Sequence, residues 1–252
     1  MKNPTLITRR QAILGGLASV GGILLPGCGR ELPPTYGHIL RMGDTLTYAA
    51  HRALLPGQRL AREYSHKDIS SFPAVGTTNP CHPDGPKPNE EYRRLQAGNF
   101  SDWRLVVEGS VARPGSFSLA DLKRLPSRTQ ITKHMCEEGW SAIAEWTGVP
   151  LSRVLDAVGL KPSARFVKYE SFDEWVDCID LLDALHPQTL LAYGMNGRDL
   201  AIPHGAPVRL RLETQLGYKS MKYLQRIVVS DTFDDGGERG SIKNGWAWYA
   251  GI

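Results

Sequence analysis

Ile131-Thr132-Lys133-His134-Met135-Cys136-Glu137-Glu138-Gly139-Trp140-Ser141 carries the most informative thiol of the chain. Thr129 to Lys133 read as a strand, so Cys136 falls at a strand-to-loop edge. Lys133 and His134 beside it favour the thiolate, and a thiolate in that setting suits a nucleophile or a soft-metal ligand. A buried cysteine serving as a small apolar side chain is the other reading of the same residues. Residues two apart on a strand share a face, so His134 is also placed to act as a base toward the thiol.

Outward from this stretch, short elements of both kinds alternate irregularly. Trp103 to Gly109 reads as a strand, and Ser118 with Asp121 forms an S-x-x-D box ahead of a helix carrying Leu119, Leu122 and Leu125, stopped by Pro126. Leu151, Val154, Leu155 and Val158 stand at i, i+3, i+4 and i+7 after Pro150, a second helix closed by Gly159 and Pro162. Arg165 to Ser171, Pro207 to Glu213 and Tyr223 to Ser230 read as strands. In the second, Val208, Leu210 and Leu212 take one face, and Arg209 and Arg211 take an opposite, surface-facing one. Asn196-Gly197 between Leu190 to Tyr193 and Leu200 to Ile202 is a two-residue hairpin signal. This mixture predicts an α+β fold rather than a doubly wound sheet.

The chain has 252 residues, 41% hydrophobic and 22% charged, which excludes disordered, collagenous and multi-span membrane classes. Its net charge is +4, but Lys2, Arg9 and Arg10 supply three of those charges, leaving +1 after Gly27 and no footprint for nucleic acid. Residues 1–27 read as an export signal: Arg9-Arg10 marks the twin-arginine class, and the Gly-rich apolar run to Leu25 is too short to span a bilayer. Leu25-Pro26-Gly27-Cys28 looks like a lipobox that would anchor the protein by a lipid on Cys28, in the periplasm or on the outer face of the membrane. Residues 28–98 read as an extended arm with loops, and 99–252 as the main domain. The four cysteines, 28, 81, 136 and 178, show no C-x-x-C spacing; Cys81 and Cys178 could pair in an oxidising compartment, though nothing in the sequence brings them together.

Several spaced motifs together resemble the sulfite oxidase superfamily. They are Ile131 to Ser141 followed by Trp146-Thr147-Gly148-Val149-Pro150-Leu151, and His204-Gly205-Ala206-Pro207-Val208-Arg209-Leu210 followed by Gly217-Tyr218-Lys219-Ser220-Met221-Lys222. The resemblance runs from Trp103 to Asp231 in matching order. It is nearest to the branch of bacterial exported molybdopterin oxidoreductases that includes the catalytic subunit of periplasmic methionine sulfoxide reductase. It implies a sulfite-oxidase-like molybdopterin-binding fold with mixed sheets and short helices, and one molybdenum-molybdopterin per chain.

By the same resemblance Cys136 is the metal ligand and the catalytic residue, where a soft thiolate suits a metal cycling by two electrons. Arg209 and Lys222 match positions that contact the cofactor, and as cations they suit its phosphate. Ser220 and Met221 would add backbone N–H groups as an anion nest. Ser171 falls where relatives carry a hydroxyl touching the cofactor, and His204 stands where the reductase branch has Asn, as a pterin hydrogen-bond partner. The arm residues of that branch have no secure match, with Asn79, His82 and Tyr92 as replacements or as ordinary loop polarity. Trp140 and Trp146 would wall the metal site or serve as core aromatics.

The expected activity is two-electron chemistry, oxygen-atom transfer on a small S- or N-oxide or related substrate. Sulfite-oxidising relatives carry a C-terminal dimerisation domain and, in animals, a haem domain; neither is expected here, and the Trp246 to Ile252 tail is expected to fold back on the domain. With no haem, flavin or iron–sulfur motif, electrons are expected from an external redox partner such as a membrane haem protein. Three rivals remain: a sulfite-oxidising enzyme of the same fold, a hydrolase or transferase using Cys136 with His134, and a non-catalytic lipoprotein that binds a ligand or partner.

Overall fold

A hairpin of two long strands, β3 (Arg128–Met135) and β4 (Ser141–Pro150), pairs from Arg128 with Gly148 to Met135 with Ser141 and leaves residues 136–140 as its tip. In β4 the side chains of Ala142, Ala144 and Trp146 point inward in strict alternation. Small alanines at core positions give a weak apolar signal, which is why the sequence shows β4 only as a motif. The hairpin belongs to a computed structural model that describes residues 42–55, 59–81 and 89–252. All of these fall within one compact unit spanning Pro34–Ile252. The twin-arginine leader, Cys28 and His82 lie outside the described residues.

Among the described residues the strands form two sheets. The first contains β1 (Arg104–Gly109), β2 (Gly115–Ser118), β5 (Phe166–Ser171), β6 (Val176–Asp180) and β10 (Leu224–Ser230) in the order β2-β1-β10-β5-β6. Its β1–β10 pair is parallel and the others antiparallel, so the sheet is mixed. The second runs β3-β4-β7-β8, with β7 (Leu190–Met195) and β8 (Arg198–Asp199) joined by the predicted turn, where Asn196 has φ +50° and Gly197 φ +72°. A short β9 (Arg209–Arg211) pairs with β7. The α+β expectation therefore holds, and so does its cause, hairpins interrupted by short helices.

Local rules account for the helices. In α3 (Leu119–Arg124) Ser118 Oγ accepts from the Asp121 N–H at 3.0 Å, and Asp121 accepts from the Ser118 N–H at 2.9 Å, the reciprocal box read from sequence. Helix α4 (Leu151–Val158) buries all four of its predicted apolar residues, which stabilises the unit by roughly 1.5–3 kcal/mol per side chain. Residues 31–98 are not loops throughout. Helix α1 (Met42–Leu54) and helix α2 (Glu90–Ala97) stand there, α2 capped by Asn89, whose side chain accepts from the Tyr92 N–H. In α1 the partners are remote in sequence: Tyr48 donates to Asp180, and Arg52 pairs with Asp180 and with Asp183 in α5 (Leu181–Ala184).

A second departure concerns β9. The predicted strand from Pro207 to Glu213 shortens to three residues, and both of its faces are buried. Arg209 is 5% exposed and Arg211 1%, so neither is the solvated, surface-facing residue that alternation implied. Arg211 is neutralised inside by Glu213, with Nη2 to Oε2 at 2.8 Å. Alternation predicts which residues share a face, but not whether a second layer covers that face.

Candidate active site

Cys136 occupies the tip of the β3–β4 hairpin. Its N–H donates to the Trp140 carbonyl at 3.0 Å, and the Gly139 N–H donates back to the Cys136 carbonyl at 3.1 Å. Gly139 sits at φ +89°, a conformation that favours glycine, so the tight tip depends on it. The thiol opens into a cavity of about 350 Å³, within the size range of small-molecule and cofactor sites. His204, Arg209, Ser220, Met221 and Lys222 line the same cavity, although up to 86 residues separate them from Cys136. Six of the seven residues singled out in the sequence thus meet in one place. Ser171 does not line it; its hydroxyl bonds the Asp173 carboxylate and donates to the Trp175 carbonyl at 3.0 Å, and those two residues are in the lining.

The cavity floor is held from behind by buried charge. Lys219 is fully buried, and its Nζ donates to Asp177 Oδ1 at 2.6 Å, fixing the 3₁₀ turn Gly217–Lys219 beneath Ser220 and Met221. Gly217 lies against His134 so closely that a Cβ there would stand 2.4 Å from the ring. The Ser220 N–H donates to the Gly217 carbonyl at 2.9 Å and so closes the turn, which removes it from the expected anion nest. Ser220 contributes its carbonyl instead, accepting from Arg209 Nη2 at 2.7 Å, while Arg209 Nη1 reaches the His204 carbonyl at 3.0 Å. Arg209 Nε is buried with no hydrogen-bond partner. Burial and the adjacent Arg211 push its guanidinium down to about 9, the mark of a cation lacking its counter-ion.

Lys222 is pushed down to about 8 by burial and by Arg209, with Asp173 acting the other way. Its ammonium donates to the carbonyls of Val75 at 2.9 Å, Thr77, and Pro203 at 3.2 Å, so it also ties down the strap 72–77 that lines the cavity. The strap delivers Phe72, whose ring packs on His134, Trp140, Trp146 and His204 at centroid distances of 5.2 to 6.1 Å. Trp140 lines the cavity. Trp146 does not, and lies instead under both arginines, 5.1 Å from Arg209 and 4.4 Å from Arg211. The strap had no motif that sequence reading could find.

The electrostatics at the thiol reverse one expectation. Burial and the neighbouring Glu137 and Glu138 carboxylates push the Cys136 thiol up to about 11, so Lys133 and His134 do not make it a thiolate. His134 lines the same cavity but is not available as a base. Its Nδ1 accepts from Arg211 Nη1 at 2.8 Å, and burial with two nearby arginines pushes it down to about 2. A protonated thiol without a basic partner is a poor hydrolytic nucleophile, and the Cys136–His134 hydrolase reading falls with it. A metal would supply what is missing, since coordination displaces the thiol proton.

The arm residues stand elsewhere. Asn79 accepts from Cys81 in a local turn, and Tyr92 is a core residue whose hydroxyl donates to the Ala206 carbonyl at 2.7 Å. Cys81 and Cys178 are free thiols. No helix among the described residues is long and apolar enough to cross a membrane. The tail does fold back, burying Trp248 and Tyr249 and bringing Trp246 into the cavity lining.

These features fit a large anionic cofactor bound through sulfur: one thiol, two cations of depressed pKa, an orphaned buried guanidinium nitrogen, and adequate volume. Comparison with known proteins agrees. Residues 93–237 match the family model described as an oxidoreductase molybdopterin-binding domain. The chain is 37% identical over 163 residues to a protein named for a protein-methionine-sulfoxide reductase subunit, YedZ1, of Azospira oryzae, covering 65% of this chain and 60% of the relative. It is 28% identical over 235 residues to the protein-methionine-sulfoxide reductase catalytic subunit MsrP of Xanthomonas axonopodis pv. citri, covering 86% of this chain and 69% of that one. The solved sulfane dehydrogenase SoxCD from Paracoccus pantotrophus aligns with a TM-score of 0.50 at 26% identity, over 52% of this chain and 39% of that one. The chain thus spans about three fifths of the first relative's length.

Proposed function

The chain belongs to the molybdopterin-binding oxidoreductases, and from that membership we propose that it reduces a small S- or N-oxide, methionine sulfoxide foremost, by two-electron oxygen-atom transfer. The observation that carries this reading is the convergence of Cys136 with Arg209, Lys222, His204, Ser220 and Met221 on one cavity. When bound, the molybdenum of the cofactor supplies the two-electron redox step. Cys136 is the ligand this chain offers to that metal. Arg209 and Lys222 hold the cofactor's phosphate, Ser220 and His204 fix Arg209 through their carbonyls, and Ser171 acts through Asp173 and Trp175. In the overall reaction the oxide takes up two electrons and two protons and leaves as sulfide, or amine, and water.

The electrons come from a separate redox protein at the membrane, a role that fits a haem protein. The leader motif Arg9-Arg10 and Cys28 support export and lipid anchoring, which would raise the effective concentration of such a donor. Both relatives named for methionine sulfoxide reduction support the reductive direction. The likeness to a sulfane dehydrogenase favours oxidation of a reduced sulfur compound as the second reading. One experiment separates them: protein isolated from its own host is assayed for molybdenum and pterin, then for oxide reduction with a viologen donor and for sulfite oxidation with ferricyanide. Oxide reduction with about one molybdenum per chain is expected. Sulfite oxidation without oxide reduction would overturn the direction.

A further inference from the structure

The residues proposed to bind the cofactor come from the span matched by the family model, whereas two segments outside that span complete the cavity wall. One is the strap 72–77 and the other is the tail, which contributes Trp246. Trp246 is half-buried, and its ring lies 4.9 Å from that of Tyr218, centroid to centroid, tilted by 44°. Other groups hold the tail. Trp248 and Tyr249 are buried in a cluster with Tyr48, the Leu216 N–H donates to the Ala250 carbonyl at 2.8 Å, and the Ile252 N–H donates to the Thr214 carbonyl at 3.1 Å. Anchoring and cavity lining are therefore done by different residues of one short segment.

The wall is also stiff. The Tyr218 hydroxyl donates to the Ala247 carbonyl at 2.5 Å, which ties the ring beneath Trp246 to the tail. Tyr218 itself stands in the turn pinned by the buried Lys219–Asp177 pair. A rigid, partly exposed aromatic pair in the wall of the thiol's cavity presents polarizable ring faces, which do not hydrogen-bond an oxyanion. Such a surface favours sulfur and its alkyl substituents, and offers little to a hydrated anion such as sulfite.

We propose that Trp246, carried by the C-terminal tail and backed by Tyr218, is a specificity-determining residue that receives the S-alkyl group of a neutral sulfoxide. This rests on the reductive reading above and adds the part of the chain that selects the substrate. Contacts of a sulfoxide's alkyl and sulfur with Trp246 form on binding and persist through reduction, so their loss acts on KM more than on kcat.

The test uses full-length holoenzyme as wild type, Trp246→Ala and Trp246→Phe, with kcat and KM measured for methionine sulfoxide, dimethyl sulfoxide and trimethylamine N-oxide, and molybdenum determined on each sample. Trp246→Ala should raise KM for both sulfoxides by about 3–10-fold, the range expected for sulfur–aromatic contacts, with kcat and molybdenum content near wild type. Trp246→Phe should recover most of the loss, and the N-oxide, which has no sulfur, should be affected less. Unchanged sulfoxide KM in Trp246→Ala, or loss of molybdenum from it, would overturn the inference while leaving the activity in place. A loaded wild type that reduces none of the three oxides would overturn the proposed function, and the substrate class inferred here with it.

Discussion

His134 Nδ1 accepts a hydrogen bond of 2.8 Å from Arg211 Nη1, joining β3 to β9 directly behind the cavity. Because a guanidinium only donates, this contact requires a bare Nδ1 and hence a neutral imidazole with its proton on Nε2. Arg211 is in turn neutralised by Glu213, whose Oε1 also accepts from Gln130 Nε2 at 3.2 Å. The strand that leads into the thiol's hairpin tip and the strand bearing Arg209 and Arg211 are thus locked together by buried polar bonds.

A pH dependence of stability follows. The folded imidazole of His134 is pushed down to about 2 while the unfolded one titrates near 6.5, so between those values the unfolded chain binds the extra proton. Stability is fully retained above the unfolded value and lost as pH falls below it, by about 2 kcal/mol at pH 5. His134→Gln keeps an acceptor for Arg211 but does not titrate. The apoprotein's loss of stability between pH 7 and pH 5, followed by urea unfolding, should be smaller in the variant by that amount.

Arg211→Ala leaves Glu213 as an uncompensated buried carboxylate, and such a loss costs about 3–5 kcal/mol. Urea melts of the apoprotein should show it. A change below 1 kcal/mol would mean that water reaches this pair.

Cys136→Ala should retain less than about 1% of oxide reduction, since no other thiol lines the cavity among the described residues and alanine offers no ligand. The apoprotein's melting temperature should shift little, because the thiol is only half-buried, at a hairpin tip whose turn bonds are made by backbone. Metal analysis and thermal melts of the same samples check both halves.

Arg209→Ala and Lys222→Ala should both lower pterin content of the isolated protein, but only the first should strongly weaken the fold. Arg209 bridges two carbonyls inside the core and packs on Trp146, so its loss costs about 2 kcal/mol. Lys222→Ala frees the strap instead, and limited proteolysis should cut faster within residues 72–77.

Gly217→Ala drives a methyl group to 2.4 Å from the His134 ring, which is held by Arg211 and cannot swing away. The turn bearing Ser220 and Met221 must shift. Pterin content should fall several-fold with a destabilisation of about 1–3 kcal/mol, the usual cost of overpacking.

Chemistry acting over a few residues was legible in the chain itself. The Ser118–Asp121 box, the buried stripe of α4 and the Asn196-Gly197 turn each depend on neighbours within one or two turns of backbone, so their residue types suffice to specify them. The spaced motifs also singled out Cys136, His204, Arg209, Ser220, Met221 and Lys222, and the fold brings these six to one cavity. Tertiary structure alone decided the state of those groups. Arg209 and Arg211 are buried because other layers cover both faces of β9, the Cys136 thiol is raised by burial and two neighbouring carboxylates, and β6 holds its acids inside because Lys219 and Arg52 arrive from elsewhere. Phe72 and Trp246 enter the wall from segments without a motif. Burial and electrostatic potential are sums over everything nearby in space, and for these residues most of what is nearby lies far away along the chain.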